Sequence, residues 1–420
     1  MKSGFYVIMA AQFFSALADN ALLIAAIAIL RDMSAPAGYE PLLKTFFTLS
    51  FVLLAAFVGA FADSMAKRHV MFISNAIKVI GCLMMLAGMH PLAAYAVVGI
   101  GAASYSPAKY GIVTEYVPHR LLVVANGWIE GLTVVAIILG TVTGGALINP
   151  AVAHALLSID FPLFDTGIDT VAEMTLVIIS LIYLVASAFN LYIPDTGVDH
   201  KPLRRNPAYL IHEFGHCFML LWRDKLGQIS LAVTTLFWGA GATLQFIVIE
   251  WAHASLGMNL SHASMMQGIF AVGVAGGAIL AARSVSMRQS VRVIPLGIAM
   301  GLVVIVMAVV HTLYLAVPLL LVLGALAGLF VVPMNALLQH RGHVLMGAGH
   351  SIAVQNFNEN LSILVMTAAY SALLGMQLGI KAVIVLFGLF VAGAMYAVKL
   401  RHEANQRQRD DLSLLDDTVH

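Results

Sequence analysis

Charge is scarce in this sequence. Of its 420 residues only 10% are Asp, Glu, Lys or Arg, against 60% hydrophobic, and the mean hydropathy is +0.92. Soluble globular chains run near a quarter charged and about half apolar, so a soluble enzyme of this length is excluded. Neither sign of charge prevails: 22 basic and 21 acidic residues leave a net +1. That excludes the basic face that nucleic-acid binding requires. Cysteine is nearly absent. Cys82 lies in an apolar segment and Cys217 reads as a loop residue, and two such thiols make no disulfide framework. Tryptophan is limited to Trp128, Trp222, Trp238 and Trp251, which read as interface anchors or helix packing.

Long apolar runs take the place of charge. They fall near 5–30, 42–62, 70–89, 91–114, 121–148 and 172–193, and again near 228–254, 262–282, 290–310, 313–339, 345–373 and 378–400. A hydrocarbon core about 30 Å thick takes roughly 20 residues per helical crossing, so with short connections this length holds about twelve. The first run is longer than a signal-peptide core and lacks a small-residue cleavage site, so it reads as a retained helix. The expected architecture is an all-α membrane protein of twelve transmembrane helices. Residues 1–193 form one six-helix half and 228–400 the other. A cytoplasmic linker, 194–227, joins them, and a charged tail, 401–420, follows.

Lys and Arg placement gives the orientation. With the N-terminus inside, seventeen cations face the cytoplasm, among them Lys2, Lys67, Arg68, Arg120, Lys201, Arg204, Arg205, Arg223, Arg341, Arg401 and Arg409. Only Arg31, Lys44 and Lys381 lie near the other face. Both termini are therefore expected inside. The loop 149–171, with Asp160, Asp165 and Asp169 and no cation, suits the outside. In the linker, Leu210, Phe214, Cys217, Phe218 and Leu221 share one helical face, which predicts an amphipathic helix over 209–222 lying in the membrane interface.

Charges inside the runs are costly and mark function or a buried pair. They are Asp19, Lys78, Lys109, Glu130 and Glu359. Three acids against two bases leave one negative charge, to be met by a proton, a bound cation or part of a substrate. The halves also echo each other: Pro107-Ala-Lys109 matches Pro333-Met-Asn335, and Asn126-x-x-x-Glu130 matches Asn356-x-x-Glu359. Paired repeats of this kind belong to transporters with a midplane site between the halves.

Two resemblances follow. The loop Gly59-Ala-Phe-Ala-Asp63-Ser-Met-Ala-Lys67-Arg68 resembles the signature loop of the major facilitator superfamily. That likeness implies that spans one, four, seven and ten line a central cavity while five and eleven flank the seams. Asp19, Asn20 and Lys109 become cavity candidates, and Glu130 and Glu359 seam candidates. The loop's Asp63, Lys67 and Arg68, with Lys78, become gating candidates. The runs Ala11–Leu23, Ala103–Ile112, Leu236–Leu244, Val331–Gln339 and Ala353–Asn360 are more specific and resemble the bacterial lysophospholipid transporters. This implies passage of lysophosphatidylethanolamine and related lipids from the outer to the inner leaflet of the bacterial inner membrane. It also implies a partner, the acyl-carrier-protein synthetase/acyltransferase, that restores the second chain. A zwitterionic headgroup offers its phosphate to Lys109 and its ammonium to Asp19 or Glu359, with Asn335 and Asn356 beside them. One departure stands out: Gln245 occupies a position where the family carries Arg, removing a cation from span seven.

An ion-coupled exporter of drugs or small metabolites on the same fold remains an alternative. His212-Glu213-Phe-Gly-His216 has the zinc-protease spacing, but a catalytic zinc needs a third ligand and a cleft. A short interfacial helix supplies neither, so no metal, cofactor or enzymatic role is expected.

Overall fold

A computed structural model describes residues 3–35, 39–148, 152, 170–199, 206–258 and 260–408. Asp160, Asp165, Asp169, Lys2, Lys201, Arg204, Arg205, Arg409 and the tail beyond 408 lie outside the described residues. Among those described there are fourteen α-helices and no strand. The first seven are α1 (Ser3–Asp32), α2 (Tyr39–Leu53), α3 (Ala55–Asp63), α4 (Lys67–Leu86), α5 (Pro91–Tyr116), α6 (Leu122–Ile148) and α7 (Val171–Leu191). Then come α8 (Pro207–Arg223), α9 (Lys225–Leu256), α10 (Leu260–Ser284), α11 (Ile294–Val306), α12 (Leu313–Met346), α13 (Ala348–Gly375) and α14 (Ile380–Gln408).

Local chemistry sets several of the ends. Thr170 and Glu173 form a reciprocal capping box that starts α7. The Asp224 carboxylate accepts from the Gly227 amide at 2.7 Å and starts α9. Gly257, at φ +65°, closes the same helix in a left-handed turn. Pro107, Pro318 and Pro333 sit inside helices, as membrane helices tolerate when neighbours satisfy the freed carbonyls.

Every expected apolar run falls on helix, with differences in detail. The second is two helices bent by 64° at Leu54. The ninth is a chain of short pieces, 3₁₀ turns at Met287–Val293 and Met307–Val309 flanking α11. Among the described residues nine helices are long and apolar enough to span a bilayer, ten with the bent pair. The two of the expected twelve that fall short are α5 and α13, the first diluted by Ser104, Ser106 and Lys109, the second by Gln355, Asn356, Asn358 and Glu359. Apolar side chains stand exposed along outer faces, such as Ile80 and Leu83 on α4 and Leu181 and Leu184 on α7. A hydrocarbon solvent accounts for them.

The chain divides into two compact units, 1–116 with 135–211, and 117–134 with 212–420. The first is built around Leu22, Leu30, Tyr95, Ile179 and Tyr183. The second is built around Ile247, Trp251, Leu320, Leu323 and Ile384. Within it α8 packs on protein: Cys217 and Leu221 meet Leu231, Leu338, Met346 and Val354. The apolar face expected to meet lipid is thus largely occupied, and Cys217 is a buried helical residue, not a loop residue. The tail also begins later than 401, because α14 continues and Asn405 donates to the Lys225 carbonyl at 3.3 Å.

Candidate functional site

In the first unit the buried charges of α1 and α4 meet. Lys78 Nζ lies 2.9 Å from the Asp19 carboxylate and 3.0 Å from Ser15 Oγ. Tyr183 donates its hydroxyl to Asp19 Oδ1 at 2.7 Å, and Ser15 donates to Asn75 Oδ1 at 2.9 Å. The Lys78 ammonium also stands over the Tyr105 ring, 4.7 Å from its centroid, a favourable place for a cation. Lys78 is only 1% exposed while Asp19 keeps 22%. The carboxylate is therefore the reachable member of the pair. Asn20 turns back to the Ala16 carbonyl at 2.8 Å. Lys109 lies over the Tyr110 ring at 4.9 Å, and its carbonyl accepts from Gln12, two turns before Asp19, at 2.9 Å.

The second unit gathers carboxylates and amides. Asn126 and Gln339 exchange two hydrogen bonds, 2.9 and 3.0 Å. Asn335 donates to Glu130 Oε1 at 3.5 Å. Gln355 donates to Asn335 Oδ1 at 3.1 Å and to Glu359 Oε1 at 2.7 Å. Glu130, Asn335 and Glu359, widely separated in sequence, thus form one buried chain. Asn356 is buried next to it, its carbonyl accepting from Asn360 at 2.8 Å. Gln245 is exposed and clasps Gln267 across α9 and α10, at 2.9 and 3.1 Å.

The signature loop makes a compact ion-pair group. Lys67 bonds Asp63 at 2.7 Å, the Ala62 carbonyl at 2.7 Å and Glu115 at 3.3 Å. Arg68 reaches Asp195 at 3.5 Å. The second unit has its own version, Arg341 bidentate on Asp224 at 3.1 and 2.5 Å. Such forked pairs fix orientation as well as charge.

In the zinc-protease-like pattern, His212 and His216 are exposed, and Glu213 faces His350 Nε2 at 3.8 Å. No group of three metal-ligating side chains exists among the described residues.

Several partners in these clusters carry no mark in the sequence. Ser15, Gln12, Gln339 and Gln355 sit inside the distinctive runs, yet neutral side chains carry no charge penalty to single them out. Glu115 and Asp224 sit at helix ends, where acids are unremarkable.

Residues 8–367 match the family model described as Major Facilitator Superfamily. The chain belongs to the major facilitator superfamily. Its fold is shared by solved structures of low sequence identity. The human organic anion transporter MFSD10 aligns at TM-score 0.70 and 15% identity over 96% of this chain and 100% of that one. A bacterial homologue of the iron transporter ferroportin aligns at 0.72 and 13% over 97% and 100%. Nearer relatives carry a narrower name. The protein of Serratia proteamaculans called lysophospholipid transporter LplT is 40% identical over 365 residues, 87% of each chain. Its Yersinia enterocolitica namesake is 38% identical over 91% of this superfamily member and 90% of its own length. That of Photorhabdus laumondii is 37% identical over 93% and 94%.

Proposed function

We propose that this chain transports lysophospholipids such as lysophosphatidylethanolamine from the outer to the inner leaflet of the bacterial inner membrane. It works by alternating access of its two halves and delivers lipid for reacylation by an acyl-carrier-protein synthetase/acyltransferase. The carrying observation is identity of 37–40% across about nine-tenths of relatives that bear that name. Both termini lie in the cytoplasm, following the cation bias. Lys109 takes the lipid phosphate. Asp19, partly exposed and already oriented by Lys78 and Tyr183, takes the headgroup ammonium.

The test is uptake of labelled lysophosphatidylethanolamine by spheroplasts. A hydrogen bond to a charged group contributes about 1.5–3 kcal/mol, so Lys109→Ala and Asp19→Asn should each lower apparent affinity about ten- to hundredfold, with uptake measured per folded transporter. Unchanged uptake in both removes the site assignment. Transport of soluble solutes without lysolipid uptake favours the exporter reading.

A further inference from the structure

The amide chain of the second unit lacks one donor. Gln355 spends both N–H groups of its carboxamide, on Glu359 Oε1 and on Asn335 Oδ1. This fixes which end is oxygen. That oxygen, Gln355 Oε1, is buried without a hydrogen-bond partner, on a side chain only 4% exposed. An unmet buried acceptor costs about 1–3 kcal/mol, and native proteins rarely leave one. An ionised Glu359 accepts only and cannot supply the donor. A protonated Glu359 can, because an acid and an amide pair through two bonds at once.

The groups held against Glu359 agree with this. α9 contributes Thr234, and the first turns of α6 contribute Glu130. α12 contributes Asn335 through Gln355, which belongs to Glu359's own helix. None of these is basic. His350, which faces Glu213 of α8 at 3.8 Å, lies near the start of α13, nine residues or about 13 Å along its axis from Glu359. Asp19 differs, because Lys78 already neutralises it.

We propose that Glu359 is a proton-binding site: its carboxyl is protonated in this network and donates to Gln355 Oε1, closing an acid–amide ring. The proton is taken from water and returned to it, and only an O–H bond is made or broken. Deprotonation removes that donor, leaves Gln355 Oε1 unmet again and places a second buried carboxylate on the chain ending at Glu130. Unloading the proton therefore disfavours this arrangement of α12 and α13, which links proton release to conformational change. The site stands whatever the transported substrate.

The experiment is infrared difference spectroscopy of the purified full chain in lipid, between neutral and alkaline pH. A carbonyl band of a protonated carboxyl should be present, titrate away with alkali, and be missing in Glu359→Gln. Gln355→Leu keeps the acid and removes its acceptor, so its band should shift to the frequency of an unbonded carboxyl; this variant decides the matter if Glu359→Gln fails to fold. Absence of a titrating band in the wild-type chain, its survival in Glu359→Gln, or an unshifted band in Gln355→Leu overturns the proposal. In proteoliposomes an imposed pH gradient should change wild-type lysolipid flux several-fold and leave Glu359→Gln flux unaltered; gradient-insensitive wild-type flux overturns the link to transport. No lysolipid flux in the wild-type chain would instead sink the substrate assignment and leave the infrared test of Glu359 standing.

Discussion

A lysine that is 1% exposed in an apolar helix bundle persists because Asp19, Ser15 and two aromatic rings replace its water. Removing one member of a buried pair leaves the other uncompensated, at a cost of about 3–5 kcal/mol. Asp19 retains contact with solvent, so Lys78→Met should fall at the lower end, about 3 kcal/mol. Asp19→Asn with Lys78→Met together should recover most of that loss. Thermal unfolding of the single and double variants in detergent measures the coupling, and additive losses would show that the two groups do not support each other. Both charges are conspicuous in the sequence, since each is expensive within an apolar run. Their pairing is not legible there, because residues 59 apart are brought together only where α1 and α4 both pack on α7. The neutral members of both clusters are less legible still. Gln355 becomes visible only when its partners on two sides are known.

At the scale of the element, the number of glycines says less than their placement. α10 and α12 cross at Gly273 and Gly277 on one side and Gly324 and Gly328 on the other. A Cβ at Gly277 would fall on the Ala325 carbonyl, which is backbone and cannot swing away, whereas one at Gly276 would meet nothing within 4 Å. Gly277→Ala should therefore destabilise by about 1–3 kcal/mol through overpacking. Gly276→Ala should be neutral or gain up to about 1 kcal/mol from helix propensity. Melting temperatures of the two variants decide this, and equal behaviour would refute close backbone approach at the crossing. Sequence supplies the helices themselves, to within a few residues at most ends, because their apolar length is hard to mistake. It cannot supply the 64° break at Leu54, where no proline or glycine marks the turn and the backbone bends at φ −95° and ψ 0°. Nor can it tell that the linker helix finds a protein surface for its apolar face: that surface is assembled from α9, α12 and α13.

For the whole molecule, the distribution of cations makes a prediction about sidedness. Seventeen Lys and Arg against three, placed by the alternation of apolar runs, argue for both termini in the cytoplasm. Cations near span ends resist translocation, and acidic residues count for little. Both native cysteines are buried, so cysteines introduced at exposed positions can be read with little background by a membrane-impermeant maleimide. Met33 and Tyr314, 54% and 93% exposed, follow the first and ninth runs and should label in intact spheroplasts as Met33→Cys and Tyr314→Cys. His69, exposed beside the signature loop, and Val344, 52% exposed near the end of α12, should label as cysteines only after permeabilisation. The four sites sample both units, so each half is tested separately. If all four reversed, the cation count would have been read with the wrong hand. If only Tyr314 and Val344 reversed, an odd number of crossings would separate the halves, and the parallel repeat would give way to an inverted one.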